Sequence, residues 1–141
     1  MGLLYRIVPS LIKDFHFSCV VISVGVNNAK VREIAEDFAE LLEGLVVSVS
    51  TTSSRIILTT IAPVLEVAPL GVGYYDPNKI ETFNRVIRRV ARDRNCEIVD
   101  FGSMESDLDR NLRKEFSIDG VHFTPAGYKA WIETLLQSII S

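Results

Sequence analysis

Short apolar runs alternate with longer amphipathic segments along this sequence, and this alternation limits the fold more than any other feature. Three runs, at 18–24, 55–61 and 97–101, are rich in β-branched residues and have the length of strands. The segments around them carry apolar residues at helical spacing. Strands that alternate with helices in this way form a parallel sheet with helices on both faces. The sequence therefore predicts a three-layer α/β/α architecture, in a single domain over residues 1–141.

Apolar periodicity and start signals predict four helices. The first covers residues 3–12 and contains a proline, which predicts a kink or a late start. The second extends from residue 31 to residue 49, and Gly44 is its weakest position. Asp76 and Thr124 each precede a proline, a pattern typical of a cap followed by a first helical turn. The last helix is predicted to face the core with its large apolar residues, which are Trp131, Ile132, Leu135, Leu136, Ile139 and Ile140.

Composition and charge exclude several classes of function. Apolar residues make up 48% of the sequence, charged residues make up 23%, and the formal net charge is -3, as in an ordinary globular domain. The arginines between residues 85 and 94 are interrupted by acidic residues, which favours a solvated helix face over a nucleic-acid partner. No apolar run approaches the ~20 residues of a membrane span, and the N-terminus lacks a signal-peptide pattern. We therefore expect no membrane association and a cytoplasmic location. Cys19 and Cys96 are predicted to be buried thiols, with no metal and no cofactor expected.

Asp119 and His122 flank a glycine-containing turn near the far end of the chain. Thr124 can cap the helix that begins at Pro125, so the turn is anchored at one end. A carboxylate at this spacing can accept a hydrogen bond from one imidazole nitrogen, which leaves the other nitrogen as a general base. The alternative interpretation is a loop aspartate beside a surface histidine with no shared function.

Asn27 follows the apolar run at 18–24, just after Gly25. If that run is a parallel strand, Asn27 lies at its carboxyl end, where open α/β sheets bind their ligands. A strand that ends in Gly-x-Asn, followed much later by Asp-x-x-His, resembles the SGNH (GDSL) hydrolase family. The resemblance extends over essentially the whole chain and implies a flavodoxin-like arrangement of the sheet. It also implies that Asp119 and His122 are the catalytic pair and that Asn27 donates to the oxyanion.

The sequence departs from the family pattern in two places. No Gly-Asp-Ser, the family's nucleophile turn, occurs in the sequence, and Asn28 stands where the family usually has aspartate. The first helical segment already corresponds to the family helix that leads into the Asn27 strand. The sequence therefore resembles the C-terminal two-thirds of an SGNH domain. We predict that the N-terminal strand or strands are missing from it, and the identity of the nucleophile is left open.

Two classes of function follow from the resemblance and from the missing block. The first is an ester hydrolase that acts on a small-molecule ester, a lipid or an acetylated sugar, with a serine supplied from outside these residues. The second is a catalytically inactive remnant or interaction module that keeps the scaffold. Without the nucleophile, this chain alone is expected to be inactive. A phosphate-binding domain that uses the Gly25 loop is disfavoured, because the glycine spacing of a phosphate cradle is missing.

The loop at 65–75, rich in glycine, proline and tyrosine, is a candidate wall of the substrate cleft. Tyr74 and Tyr75 either offer a face to the substrate or pack in the core, and the sequence favours neither. Gly25 and Asn28 are the other candidates for the cleft, because they flank Asn27 in sequence.

The strand predicted at Val20–Val24 lacks the charges and prolines that protect an edge strand. If the family's serine strand is absent, this strand presents unpaired backbone groups and an apolar surface. We therefore expect a partner to cover the edge, either a second copy in a homodimer or a separate N-terminal chain.

Overall fold

The computed structural model describes residues 2–29, 34–65, 75–104 and 111–140. Helices and strands alternate in the described residues in the predicted order. They are α1 (Gly2–Ile12), β1 (Val20–Ile22), α2 (Ala35–Ser50), β2 (Ile56–Thr59), α3 (Pro77–Asp93), β3 (Glu97–Val99) and α4 (Pro125–Ile140), with 3-10 turns at Phe101–Met104 and Lys114–Phe116. The sheet is parallel with strand order β1-β2-β3.

The strands are shorter than the apolar runs that predict them. The run at 18–24 pairs only over Val20–Ile22, with Val20 opposite Ile56. Pairing ends there because the chain soon turns at Gly25, whose φ of 121° lies in the left-handed half of the map. The run at 97–101 pairs only over Glu97–Val99 before the chain enters a 3-10 turn.

The two faces of the sheet are covered unequally. Val20 and Ile22 pack into the core formed with α1, α2 and α3, where Phe38 and Phe83 meet with ring centroids 4.7 Å apart. Val21 packs on the opposite side, into a smaller core with α4. Three helices therefore cover one face and a single helix covers the other. The core lies on both faces, which is the three-layer arrangement expected from the sequence.

The helix ends use the predicted caps. The carboxylate of Asp76 accepts a hydrogen bond from the Asn78 N–H at 2.8 Å. The hydroxyl of Thr124 accepts one from the Gly127 N–H at 3.2 Å. Two arginines of α3 form partly exposed ion pairs, Arg88 with a carboxylate oxygen of Asp100 at 2.7 Å and Arg92 with Asp93 at 3.3 Å, as expected of a solvated helix face.

Gly44 lies where α1 packs against the middle of α2. A Cβ at this position would be 2.3 Å from Cε2 of Tyr5. The residue that weakened the helix prediction is therefore the one that permits the two helices to approach.

One prediction for α4 is wrong. Trp131, Leu135 and Ile139 pack on the sheet, but the neighbouring row of Ile132, Leu136 and Ile140 is exposed, at 46%, 47% and 80%. The helix buries one row because only one side of it meets the sheet. In the described ranges, no helix combines the length and the apolar composition that a membrane span requires.

Candidate active site

The carboxylate of Asp119 is bound on both of its oxygens within its own turn. Oδ1 accepts the main-chain N–H groups of Val121 and His122, at 2.9 and 2.8 Å. Oδ2 lies 2.5 Å from Nδ1 of the His122 ring. The hydrogen bond from His122, reinforced by the two main-chain N–H groups, holds the pKa of the Asp119 carboxyl well below its ordinary value.

The His122 ring is oriented by this carboxylate. An anionic Asp119 accepts only, so the pairing assigns the ring proton to Nδ1 and leaves Nε2 as the basic nitrogen. The His122 side chain is 76% exposed. The pair therefore has the arrangement of a general base with its orienting acid, available to a reacting group from outside.

Main-chain contacts on both sides hold this turn. Gly120 has a φ of 91°, which an L side chain rarely adopts, so the turn requires glycine there. Its carbonyl accepts the Leu65 N–H at 2.8 Å, which ties the turn to the segment after β2. On the other side, the Thr124 N–H donates to the Phe116 carbonyl at 2.8 Å.

Asn27 lies in a turn closed by its neighbours. The main-chain N–H groups of Asn28 and Ala29 both donate to the Gly25 carbonyl, at 2.9 and 2.8 Å. Asn28 is 6% exposed, and a Cβ on Gly25 would lie 2.9 Å from Cδ1 of Ile61. Gly25 and Asn28 therefore shape the turn from within the core, and neither is among the residues that line the cavity described next. Asn27 itself is exposed.

Asn27 and His122 line one cavity of about 580 Å³ at the carboxyl ends of the strands. Tyr75 also lines it, although its side chain is buried among core residues, and Tyr74 lies outside the described residues. Most of the wall is apolar, with Ser23 and Thr60 as further polar groups. The other lining residues are Val24, Val26, Ile61, Ala62, Pro63, Val64, Val121, Phe123, Tyr128 and Trp131.

Sequence reasoning missed several residues that form or support this cavity. Phe123 and Tyr128 lie beside the Asp-x-x-His turn, and their rings meet edge to face with centroids 5.5 Å apart. Their position next to His122 in sequence was an available signal. Ser117 and Asn84 support the site through main-chain hydrogen bonds. Asn84 had a signal too, since it falls on the apolar face of α3 between Ile80 and Ile87.

Cys19 and Cys96 are unbridged and half-buried, less buried than the sequence predicts. Within the part of the chain that the structure describes, no three His, Cys, Asp or Glu side chains come together as a metal site requires.

A sequence model of the GDSL-like Lipase/Acylhydrolase family matches residues 6–130. The chain belongs to this family. The resemblance predicted from the sequence is thereby confirmed.

Solved structures of GDSL-type proteins have the same fold. A protein from Streptococcus pneumoniae that is named for platelet activating factor is 25% identical, with a TM-score of 0.84 over 96% of this chain. A GDSL-like lipase from Bacteroides thetaiotaomicron is 22% identical, with a TM-score of 0.78 over 97% of this chain. An acetyl xylan esterase is 19% identical, also with a TM-score of 0.78, over 96% of this chain. A comparison with curated protein sequences finds no match.

The chain spans about two-thirds of the length of these proteins, covering 66%, 67% and 74% of theirs respectively. Three parallel strands with four helices match the GDSL neighbours, so the predicted α/β fold class is confirmed.

Proposed function

We propose that this chain carries the acid–base and oxyanion groups of an ester hydrolase of the GDSL family, with His122 as general base, Asp119 as its orienting acid and Asn27 as the oxyanion donor. The observation that carries the proposal is that Asn27 and His122 line one cavity while His122 is bound to Asp119. Family membership supports it independently.

The reaction follows from these roles. A serine hydroxyl attacks the acyl carbon, and Nε2 of His122 takes the hydroxyl proton and then gives it to the departing alcohol. Asp119 stabilises the imidazolium that forms between these two steps. The side-chain N–H of Asn27 donates to the oxyanion of the tetrahedral intermediate. Water then attacks the acyl carbon of the acyl-serine. Nε2 of His122 takes the proton from this water and gives it to the serine oxygen as the acyl–oxygen bond breaks, which releases the acid and restores the serine.

The apolar wall of the cavity suits the acyl part of an ester. The substrate class remains broad in this proposal: a short-chain ester, a lipid or an acetylated sugar. Deacetylation of a carbohydrate is supported by the similarity to an acetyl xylan esterase, although that similarity is one of fold.

In this proposal, the serine comes from a segment outside these residues. The sequence contains no Gly-Asp-Ser turn, and Ser23 is the serine among the described residues of the cavity wall. Ser23 directly follows β1, and its hydroxyl is 2.9 Å from the hydroxyl of Thr59. It does not lie in a glycine-flanked turn of the nucleophile type.

Hydrolysis of p-nitrophenyl acetate tests the proposal in two steps. The isolated chain should be no faster than its His122→Ala variant, and a fluorophosphonate should label no serine stoichiometrically. Labelling of Ser23 would overturn the proposal that the serine comes from outside these residues.

The second step fuses an N-terminal segment that bears a Gly-Asp-Ser turn before Gly2. The fusion should gain activity that His122→Ala abolishes and that Asn27→Ala lowers roughly 100- to 1,000-fold. Activity in a folded fusion that does not depend on His122 would refute the assigned roles.

A second candidate, an interaction module that forms a homodimer, is favoured by the open side of β1. Among the described residues, β1 pairs with β2 alone. The Val20 N–H donates to the main-chain carbonyl of Arg55, in the segment that leads into β2. Because successive N–H groups point in opposite directions along a strand, the Val21 N–H points to the open side. Leu4, Ile7 and Leu11 on α1 are exposed as well, which leaves apolar surface for a second copy or an N-terminal segment to cover.

Sedimentation equilibrium tests whether a second copy of the chain covers the open side of β1. A homodimer through β1 predicts twice the 15.8 kDa mass at micromolar concentration. Val21→Pro should then yield monomer with unchanged helix content, because it removes an outward donor and leaves the β1–β2 bonds intact. A monodisperse monomer of the parent chain would contradict the homodimer, and dimerisation that survives Val21→Pro would place the interface elsewhere.

A further inference from the structure

The hydroxyl of Ser117 lies inside the loop that carries Asp119 and His122. Ser117 is 2% exposed and forms an isolated antiparallel bridge with Phe123, so that the two residues close the loop. Its Oγ is 2.6 Å from the His122 carbonyl oxygen and accepts the Gly120 N–H at 3.0 Å. One side chain thus contacts the main chain at two points of the short loop.

The single proton of this hydroxyl has two possible acceptors. The His122 carbonyl is at 2.6 Å, and Oδ1 of Asp119 is at 3.3 Å. That Oδ1 already accepts two main-chain N–H groups. Because a hydroxyl has one proton and the carbonyl is much nearer, the proton belongs to the hydrogen bond with His122. Ser117 therefore acts on the main chain of His122 rather than on the charge of Asp119.

The exposed ring of His122 makes such support important. With 76% of its side chain exposed, the ring gains little orientation from packing. Its direction depends on the bond from Nδ1 to Asp119 and on the position of its own main chain. A small displacement of that main chain would lengthen the Nδ1–Oδ2 contact, which is 2.5 Å.

We infer that Ser117 is a positioning residue for the Asp119–His122 pair: its buried hydroxyl links the His122 carbonyl to the Gly120 N–H and so keeps Nδ1 directed at the carboxylate. The inference deepens the proposed function and rests on it, since the pair matters for hydrolysis only if His122 is the general base. The hydroxyl touches no reacting group and has no chemical step of its own.

Nuclear magnetic resonance of His122 tests this role without any need for activity. The sequence has two histidines, so His16→Gln leaves His122 as the one histidine. In that background, the proton on Nδ1 and the ring nitrogen shifts report the tautomer and the bond to Asp119. Ser117→Ala should lose the Nδ1 proton signal and populate both neutral tautomers.

Ser53→Ala is the matched control. Ser53 is also buried, and its hydroxyl also donates to a main-chain carbonyl and accepts a main-chain N–H, both of Arg55. It lies outside the Asp119 loop, so its variant should keep the parent His122 spectrum even if stability falls. Ser117→Cys keeps the side-chain size with a much weaker donor, and it provides the same reading if Ser117→Ala does not fold.

Retention of the parent Nδ1 signal and tautomer in Ser117→Ala, or in Ser117→Cys, would overturn the positioning role and leave the proposed function intact. Equal loss in Ser53→Ala would also overturn it, because the effect would then be one of general stability. Ring nitrogen shifts in the parent that do not place the proton on Nδ1 would instead overturn the Asp119–His122 pair, and the proposed function with it.

Discussion

Asn84 binds both main-chain polar groups of Ile61: its Oδ1 accepts the Ile61 N–H at 2.7 Å, and its Nδ2 donates to the Ile61 carbonyl at 3.1 Å. Ile61 follows β2 as the chain leaves the sheet, and it lines the cavity together with Asn27. A side chain on α3 therefore replaces the strand partner that Ile61 lacks. The same Ile61 side chain lies against Gly25, so Asn84 indirectly supports the turn that carries Asn27.

Replacement of Asn84 by alanine should destabilise the fold and loosen the cavity wall. The Ile61 N–H and carbonyl would both lose these partners in a buried place, which should lower the free energy of unfolding by roughly 2–4 kcal/mol in total. Urea unfolding measures this loss. Asn78→Ala, at an exposed position of the same helix, should change the free energy of unfolding by less than about 0.5 kcal/mol. Equal effects of the two substitutions would contradict the role of Asn84.

Asp119 should make the stability of the protein depend on acid pH. Its folded-state pKa lies below the ordinary 3.8, so folding favours the ionised form. This contribution is complete above the ordinary pKa and declines as pH falls below it, toward the folded-state pKa. The difference in unfolding free energy between the parent and Asp119→Asn should therefore be smaller at about pH 2.5 than at about pH 6. A difference that stays constant over this range would show that the charge of Asp119 is not stabilised by folding.

Local signals in the sequence were sufficient for the order of elements and for several of their ends. Asp76 and Thr124 act as the caps that their position before a proline predicts. The turn from Asp119 to His122 was also predictable, because its main contacts are formed within four residues. These features depend on neighbours in the chain, which a single sequence displays directly.

Features that depend on distant partners were not predictable in the same way. The exposed row of α4 is as apolar as the buried row, and only the position of the helix on the sheet decides between them. Asn28 and Gly25 were candidates for the cleft because they flank Asn27, but both are buried, and Gly25 lies against Phe38 of α2 and Ile61 after β2. Proximity in sequence would have found Phe123 and Tyr128 beside His122, but it fails for Gly25 and Asn28, so it does not by itself decide which side chains face a cavity.

Gly127 should tolerate no side chain. A Cβ there would lie 2.4 Å from the carbonyl oxygen of Phe116, a main-chain atom that cannot rotate away. We expect Gly127→Ala to cost about 1–3 kcal/mol in unfolding free energy, as overpacking usually does. It should also shift the His122 resonances, because the Thr124 N–H donates to that same Phe116 carbonyl. Unfolding and histidine spectra on one sample test both effects, and a neutral substitution would show that the helix start can move.

Gly44 offers the opposite case, because its close neighbour is a side chain. A Cβ there would lie 2.3 Å from Cε2 of Tyr5, a residue that is 43% exposed. Alanine is favoured over glycine inside a helix by about 1 kcal/mol, so contact with Tyr5 decides the sign of Gly44→Ala. We expect Gly44→Ala to destabilise the parent and to stabilise a Tyr5→Ala background by up to about 1 kcal/mol. A double-mutant cycle in urea measures the coupling, and additive effects would mean that α1 moves aside without cost.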